Sequence, residues 1–232
     1  MSTKIVKEKS SLNRSGFILI GVVAVFLIFN QVQLSLITSS LGIRYTSFSG
    51  GDLSNVNINE IKSTADAIAA LFPVQDVRAA DDAISMIVPR GVPEYGAEMG
   101  ISFDDPVVSL DKMASGYNAL KAKVETNPEV WSRYLNLAAN PRGISCEFCC
   151  GIGAQGVDAK GKSRCGCKHN PAVQTLTFWL MLNTDYTDAE ILKEVMRWKA
   201  IWYPKNMVEL TMKVAGNGGQ ASQSLPEMVG GC

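Results

Sequence analysis

The hydrophobic pattern opens with an unbroken apolar run over residues 16–29, preceded by Lys4, Lys7, Lys9 and Arg14. Asn30, Gln31 and Gln33 interrupt it before Leu34, Leu36 and Ile37. Residues 16–37 are long enough to cross a bilayer, which needs about 20 residues. No small-x-small cleavage site follows, so the pattern predicts an uncleaved anchor rather than a secretory leader. The run is apolar on all faces, which argues against a buried core helix. The basic tail 1–15 should stay in the cytoplasm. That places the chain in the cell membrane as a single-pass protein. The lipid bilayer is its partner through residues 16–37, and the C-terminal part lies outside the cytoplasm.

Residues 38–55, rich in Ser, Gly and Thr, read as a stalk. Beyond them the apolar positions follow helical spacing. Asn57 with Glu60 forms a capping box ahead of Ile61, Ala65, Ile68 and Phe72, and Pro73 stops that helix. A second helix is predicted over 76–87. Residues 89–108 carry six Gly or Pro residues and read as an ordered loop. Leu110, Met113, Tyr117, Leu120 and Val124 mark an amphipathic helix. Asn127-Pro128 starts another, with Trp131, Leu135 and Ala138 inward, and Asn140-Pro141 stops it. Asn170-Pro171 opens a strongly apolar helix through Leu182. Thr187 and Glu190 form a capping box, and Ile191, Val195, Trp198 and Trp202 make one stripe before Pro204. The tail 216–232 is rich in Gly, Ser and Gln and reads as loose. No segment shows sustained strand alternation. The expected fold is mainly α: one N-terminal transmembrane helix, then a small extracytoplasmic helical domain over 56–215 with a Cys/His segment at 142–170.

Composition and charge change this picture only locally. The chain has no net formal charge. Residues 50–111 hold eleven acidic residues against three basic ones, and residues 142–168 hold five basic against two acidic. The basic set is too small for a nucleic-acid footprint. Its place among cysteines suits stabilisation of thiolates or of a metal–thiolate centre.

Five of the six cysteines fall within 22 residues. Clustering of this kind marks a metal or redox site. The pattern is Cys146-x2-Cys149-Cys150, then Cys165-x-Cys167-x-His169. A C-x2-C pair can turn back as a tight knuckle and place two sulfurs on one ion, and a second pair across a loop completes a tetrahedron. The candidate ligands are Cys146, Cys149, Cys150, Cys165, Cys167 and His169, the only histidine of the chain. Zinc leads among the metals, with Cu(I) and iron–sulfur as alternatives. An oxidising compartment makes disulfides a rival for the same sulfurs, with Cys232 as a sixth partner. A thiol–disulfide or electron-transfer protein is the second function class. No acid, base and nucleophile trio is visible, so binding is expected over catalysis. A metal hydrolase would need an open coordination position and a base, for which Glu147 is the candidate. Glu98, Asp104 and Asp105 read as solvated loop carboxylates.

Two nucleotide motifs overlap the segment. Gly151, Gly153 and Gly156 match G-x-G-x-x-G, and residues 156–163 match G-x-x-x-x-G-K-S. Both need a strand before and a helix after, which the pattern does not supply. No nucleotide and no nucleic acid is expected as a partner.

The strings 145–151 (SCEFCCG) and 165–169 (CGCKH) resemble hypothetical membrane-anchored, cysteine-rich proteins of uncultured microbes. The resemblance extends to Tyr95-Gly96-Ala97-Glu98-Met99-Gly100-Ile101-Ser102-Phe103-Asp104 and to Asp188-Ala189-Glu190-Ile191-Leu192. It implies that 56–205 is one unit, and it carries no assigned activity. The Cys-Gly-Cys string is also similar to short extracytoplasmic metal-binding modules. Arg14-Ser15-Gly16-Phe17 before an apolar run resembles a type IV pilin-like precursor, cut after the glycine. That family has Glu at the fifth mature position, where this chain has Gly21. From it follows a third class, a surface or pilin-like assembly subunit with a membrane or surface protein as partner.

Overall fold

Proline and short polar caps decide where most of the helices begin. In the computed structural model, residues 53–218 and 224–231 are described, all within the unit Phe48–Cys232. The helices are α1 (Thr64–Leu71), α2 (Ala80–Ile87), the single-turn α3 (Gly96–Met99), α4 (Pro106–Glu125) and α5 (Pro128–Ala138). After a long connection come α6 (His169–Asn183), α7 (Asp188–Trp202) and α8 (Pro204–Val214). Pro106, Pro128 and Pro204 each stand in the first turn, where a missing N–H costs nothing. Thr187 Oγ1 accepts from Glu190 N while Glu190 accepts from Thr187 N, the reciprocal cap expected there.

Among the described residues there is no strand, only an isolated antiparallel bridge between Val157 and Ser163. The fold is mainly α, as the periodicity predicts. No described helix is long and apolar enough to cross a membrane. The anchor expected at 16–37, the basic tail 1–15 and most of the stalk lie outside the described residues.

Three boundaries differ from expectation. The Asn57–Glu60 box closes a 3-10 turn, Ile58–Glu60, instead of opening a helix. α1 starts later, where Ser63 Oγ accepts from Asp66 N. Residues 74–79 hold a separate turn, Val74–Asp76, so α2 begins at Ala80, with Asp82 accepting from Arg78 N and Ala79 N. The 89–108 loop is shorter than expected because Pro106 already starts α4. Asp104 there accepts from Gly91 N at 2.9 Å, and so braces the loop.

The core lies around α6, which packs along α4 and touches α5 and α7. Phe178 meets Tyr134 at 4.4 Å and Tyr117 at 5.9 Å between ring centroids. Ile191, Val195, Trp198 and Trp202 of α7 are all fully buried, as their spacing predicts. Burying an aliphatic or Phe side chain of this kind contributes about 1.5–3 kcal/mol. On α5 the inward set is Tyr134, Leu137 and Ala138, with Trp131 and Leu135 only half-buried. The chain end docks on this core: Val229 N donates to Trp202 O at 2.8 Å and Lys205 N to Pro226 O at 3.3 Å. Residues 224–231 are therefore hydrogen-bonded in place, where the composition of 216–232 reads as loose.

Candidate metal centre

The connection 139–168 contains no helix or strand of its own. Long irregular segments of this kind usually carry function. Its backbone is held from two sides. From α5, Ala138 O accepts from Gly156 N and Val157 N at 3.1 and 3.2 Å. From α6, Gln174 Nε2 donates to Ile144 O at 3.0 Å. Asn170 Nδ2 donates to Gly156 O at 3.0 Å and to Ser163 Oγ at 2.8 Å. Tyr134 OH, donating to Gln174 Oε1 at 2.9 Å, fixes the amide's orientation. Two polar residues on a buried helix face thus grip both cysteine-bearing halves of the loop. Gly156 sits in the middle of this grip: a Cβ there would collide with the Ile144 carbonyl oxygen and the Gln174 amide. Gly156→Ala should therefore cost about 1–3 kcal/mol, as overpacking does. Gly166→Ala, where a Cβ meets nothing within 4 Å, is the control in urea denaturation. Equal stability of the two variants would refute the grip.

The halves bring four sulfurs together. Cys146, Cys150, Cys165 and Cys167 have their Sγ atoms within 4.8 Å of one another, and these four cysteines can hold a metal ion. Cys146 Sγ lies 3.3 Å from Cys167 Sγ and 3.9 Å from Cys150 Sγ, and Cys165 lies 3.4 Å from Cys167. Cys150 and Cys165 are in direct contact as a disulfide. In a tetrahedral tetrathiolate with zinc–sulfur bonds of about 2.3 Å, the sulfurs stand about 3.8 Å apart. The set is layered: Cys146 is fully buried, Cys165 and Cys167 are intermediate, and Cys150 is exposed.

Local backbone geometry explains which knuckle cysteine joins. Gly151 N donates to Glu147 O at 3.1 Å, so 147–151 make a helix-like turn. On such a turn, positions four apart share a face. Cys146 and Cys150 therefore converge, and Cys149 is turned outward to an exposed position. Gly151 and Gly153 close the turn at φ +65° and +74°, which favours glycine.

Charge is arranged asymmetrically. The Cys167 thiol is held down to about 4 by a hydrogen bond from Cys146, by the imidazole of His169, and by the backbone N–H groups of Asn170 and His169. Those amides form the N-terminus of α6, which favours an anion. Cys146 shifts the opposite way, because it donates to Cys167 and is buried. The nearby cation is Lys199 of α7, which is fully buried. Its Nζ donates to Thr64 Oγ1 and Gly143 O at 3.0 Å each and to Glu147 Oε1 at 3.2 Å. Burial lowers its pKa and Glu147 opposes that shift.

Three of the five basic residues of 142–168 are engaged elsewhere. Arg142 donates to Asn136 O and Asn59 Oδ1, each at 2.9 Å, Arg164 to Gln155 Oε1 at 2.7 Å, and Lys168 pairs with Asp111 at 2.6 Å. Glu147, the candidate base, is the partner of Lys199. The stretch matching G-x-x-x-x-G-K-S folds as a turn in which Asp158 Oδ1 accepts from Lys160 N and Lys162 N at 2.8 and 3.0 Å. The next helix starts only at His169.

His169 lies outside the group of four sulfurs. Its ring is fully buried, with centroids 5.6 Å from Trp202 and 5.0 Å from Tyr203, and Nε2 lies 2.8 Å from Val229 O. Lys199, Asn170 and Gln174 escape a search for ligand types. A signal existed for each: Lys199 falls on the Val195–Trp202 stripe, and Gln174 and Asn170 interrupt an apolar helix. No protein-family profile matches this chain, and neither a curated protein nor a solved structure is found to be similar to it.

Proposed function

We propose that this chain is a membrane-anchored, extracytoplasmic metal-binding protein whose zinc-type site is formed by Cys146, Cys150, Cys165 and Cys167. The observation that carries the reading is the convergence of four sulfurs from both ends of one loop. Four thiolates select zinc, Cu(I) or iron over hard cations. Zinc suits the set best, since it takes four thiolates in a closed structural site. The ion would tie the loop to α5 and α6; a carrier role uses the same ligands with the exposed Cys150 as the point of exchange. Support for the anchor is the apolar run 16–37 behind its basic flank.

A second reading has its own observation. Cys150 and Cys165 are joined as a disulfide, which suits a thiol–disulfide or electron-transfer protein. Their Cα atoms stand 7.0 Å apart, above the usual disulfide span and compatible with two thiolates sharing one ion.

Elemental analysis with thiol titration of protein purified anaerobically separates the two. We expect about one zinc per chain with slowly reacting thiols. Cys146→Ser and Cys167→Ser should each abolish retention, whereas Cys149→Ser should keep it. No metal together with two fewer titratable thiols would sink the zinc reading in favour of the disulfide. A coloured protein would move the assignment to iron–sulfur.

A further inference from the structure

The four sulfurs fall into an inner and an outer pair. Cys146 is fully buried, and its Sγ lies 3.3 Å from that of Cys167. Cys150 is exposed and is bonded to Cys165. Three of the four are anchored. Cys146 belongs to the core, and Cys165 and Cys167 pack against it. The Cys165 carbonyl accepts from Ser163 Oγ at 2.7 Å, and that oxygen accepts in turn from Asn170 Nδ2 of α6 at 2.8 Å. Cys150 stands at the outer end of its turn. A Cβ on Gly151 or Gly153, just beyond it, would meet nothing within 4 Å, so this stretch has room to shift.

The outer pair can meet two demands that exclude each other. A disulfide brings its sulfurs to about 2 Å, whereas a tetrathiolate around zinc holds them about 3.8 Å apart. The difference is small, and Cys150 is the sulfur placed to cover it: its Sγ already lies 3.9 Å from that of Cys146. Only thiolates ligate the ion, so a disulfide removes two of the four ligands. Cys146 and Cys167 alone cannot close a tetrahedron. We propose that Cys150 and Cys165 form a redox switch that releases the metal, worked by a small-molecule disulfide that reaches the exposed Cys150. This rests on the metal-binding reading above. The Cys150 thiolate attacks one sulfur of that oxidant and expels a thiolate, which leaves a mixed disulfide. The Cys165 thiolate then attacks Cys150 Sγ and expels the second thiolate. Two protein thiolates are oxidised, one small disulfide is reduced to two thiolates, and zinc leaves as Zn2+ with its charge unchanged. The inner pair stays reduced, because Cys146 is fully buried and the oxidant does not reach it. Excess small thiol reverses both steps and rebuilds the site.

The test treats the reduced, zinc-loaded full chain with glutathione disulfide and reads released zinc with a chromogenic chelator. About one zinc should appear for each protein disulfide formed. Differential alkylation with tandem mass spectrometry should assign the first disulfide to Cys150 and Cys165. Dithiothreitol should then restore zinc binding. Cys149→Ser should release zinc at the parent rate, since Cys149 lies outside the group of four. Zinc kept in excess oxidant would overturn the proposal. So would a first disulfide between Cys146 and Cys167, or a release that requires Cys149. Absence of bound zinc in the reduced chain would instead overturn the metal reading itself.

Discussion

Replacing Lys199 by Met is expected to destabilise the domain by about 3–5 kcal/mol, the effect of breaking a buried charge pair from one side. The methionine fills similar volume but donates nothing. It strands the Gly143 carbonyl and the Thr64 hydroxyl, and it leaves Glu147, whose side chain is only 13% exposed, without its cation. The ammonium also sits 5.3 Å from the Phe148 ring centroid, a contact the thioether replaces poorly. Glu147→Gln added to Lys199→Met should recover a large part of the loss, since the stranded charge is gone. Urea midpoints of the four members of that cycle measure the coupling. A Lys199→Met protein within about 0.5 kcal/mol of the parent would refute the role, because that is the range of an ordinary surface change. The same lysine is a buried cation whose charge acts on Cys146, so metal affinity should fall with stability.

The particular residues show what sequence makes legible. Thr187, Pro128 and the α7 stripe act through contacts within one or two turns, and local spacing reveals them. The Asn57–Glu60 box has the right residues, yet a three-residue turn satisfies them equally well, and a cap signature cannot tell the two apart. The density of cysteines marks the segment, but not which sulfurs meet. That depends on the helix-like turn at 147–151, which carries Cys149 away from the group and Cys150 into it. The five basic residues around the cysteines suggest charge compensation in sequence. In space Arg142, Arg164 and Lys168 bond to Asn136, Asn59, Gln155 and Asp111, and the compensating lysine arrives from α7, 53 positions after Cys146 by their numbers. Long-range partners of this kind have no local periodicity to betray them. A lysine on an otherwise apolar stripe is the one trace that Lys199 leaves.

Stripping the ion with a chelator, under reducing and anaerobic conditions, is expected to open residues 142–168 and leave the helices folded. Zinc-finger peptides unfold entirely without metal, whose binding is worth about 10–16 kcal/mol there, because they have no other core. This domain does. Leu110, Met113, Phe178, Trp198 and Trp202 are buried on α4, α6 and α7, outside the cysteine-bearing loop. The loop has far less of its own: Ile144, Cys146 and Val157 are its fully buried apolar side chains, and its backbone hangs on Gln174, Asn170 and Ala138. Four sulfurs this close must then either protonate or repel as thiolates, and both outcomes work against the knuckle geometry. Amide exchange should accelerate by orders of magnitude over 142–168 while α4, α6 and α7 keep their protection, and helical circular dichroism should change little. Unchanged exchange across the loop would mean that the metal does not hold it. Loss of protection everywhere would mean that the helical core depends on the site.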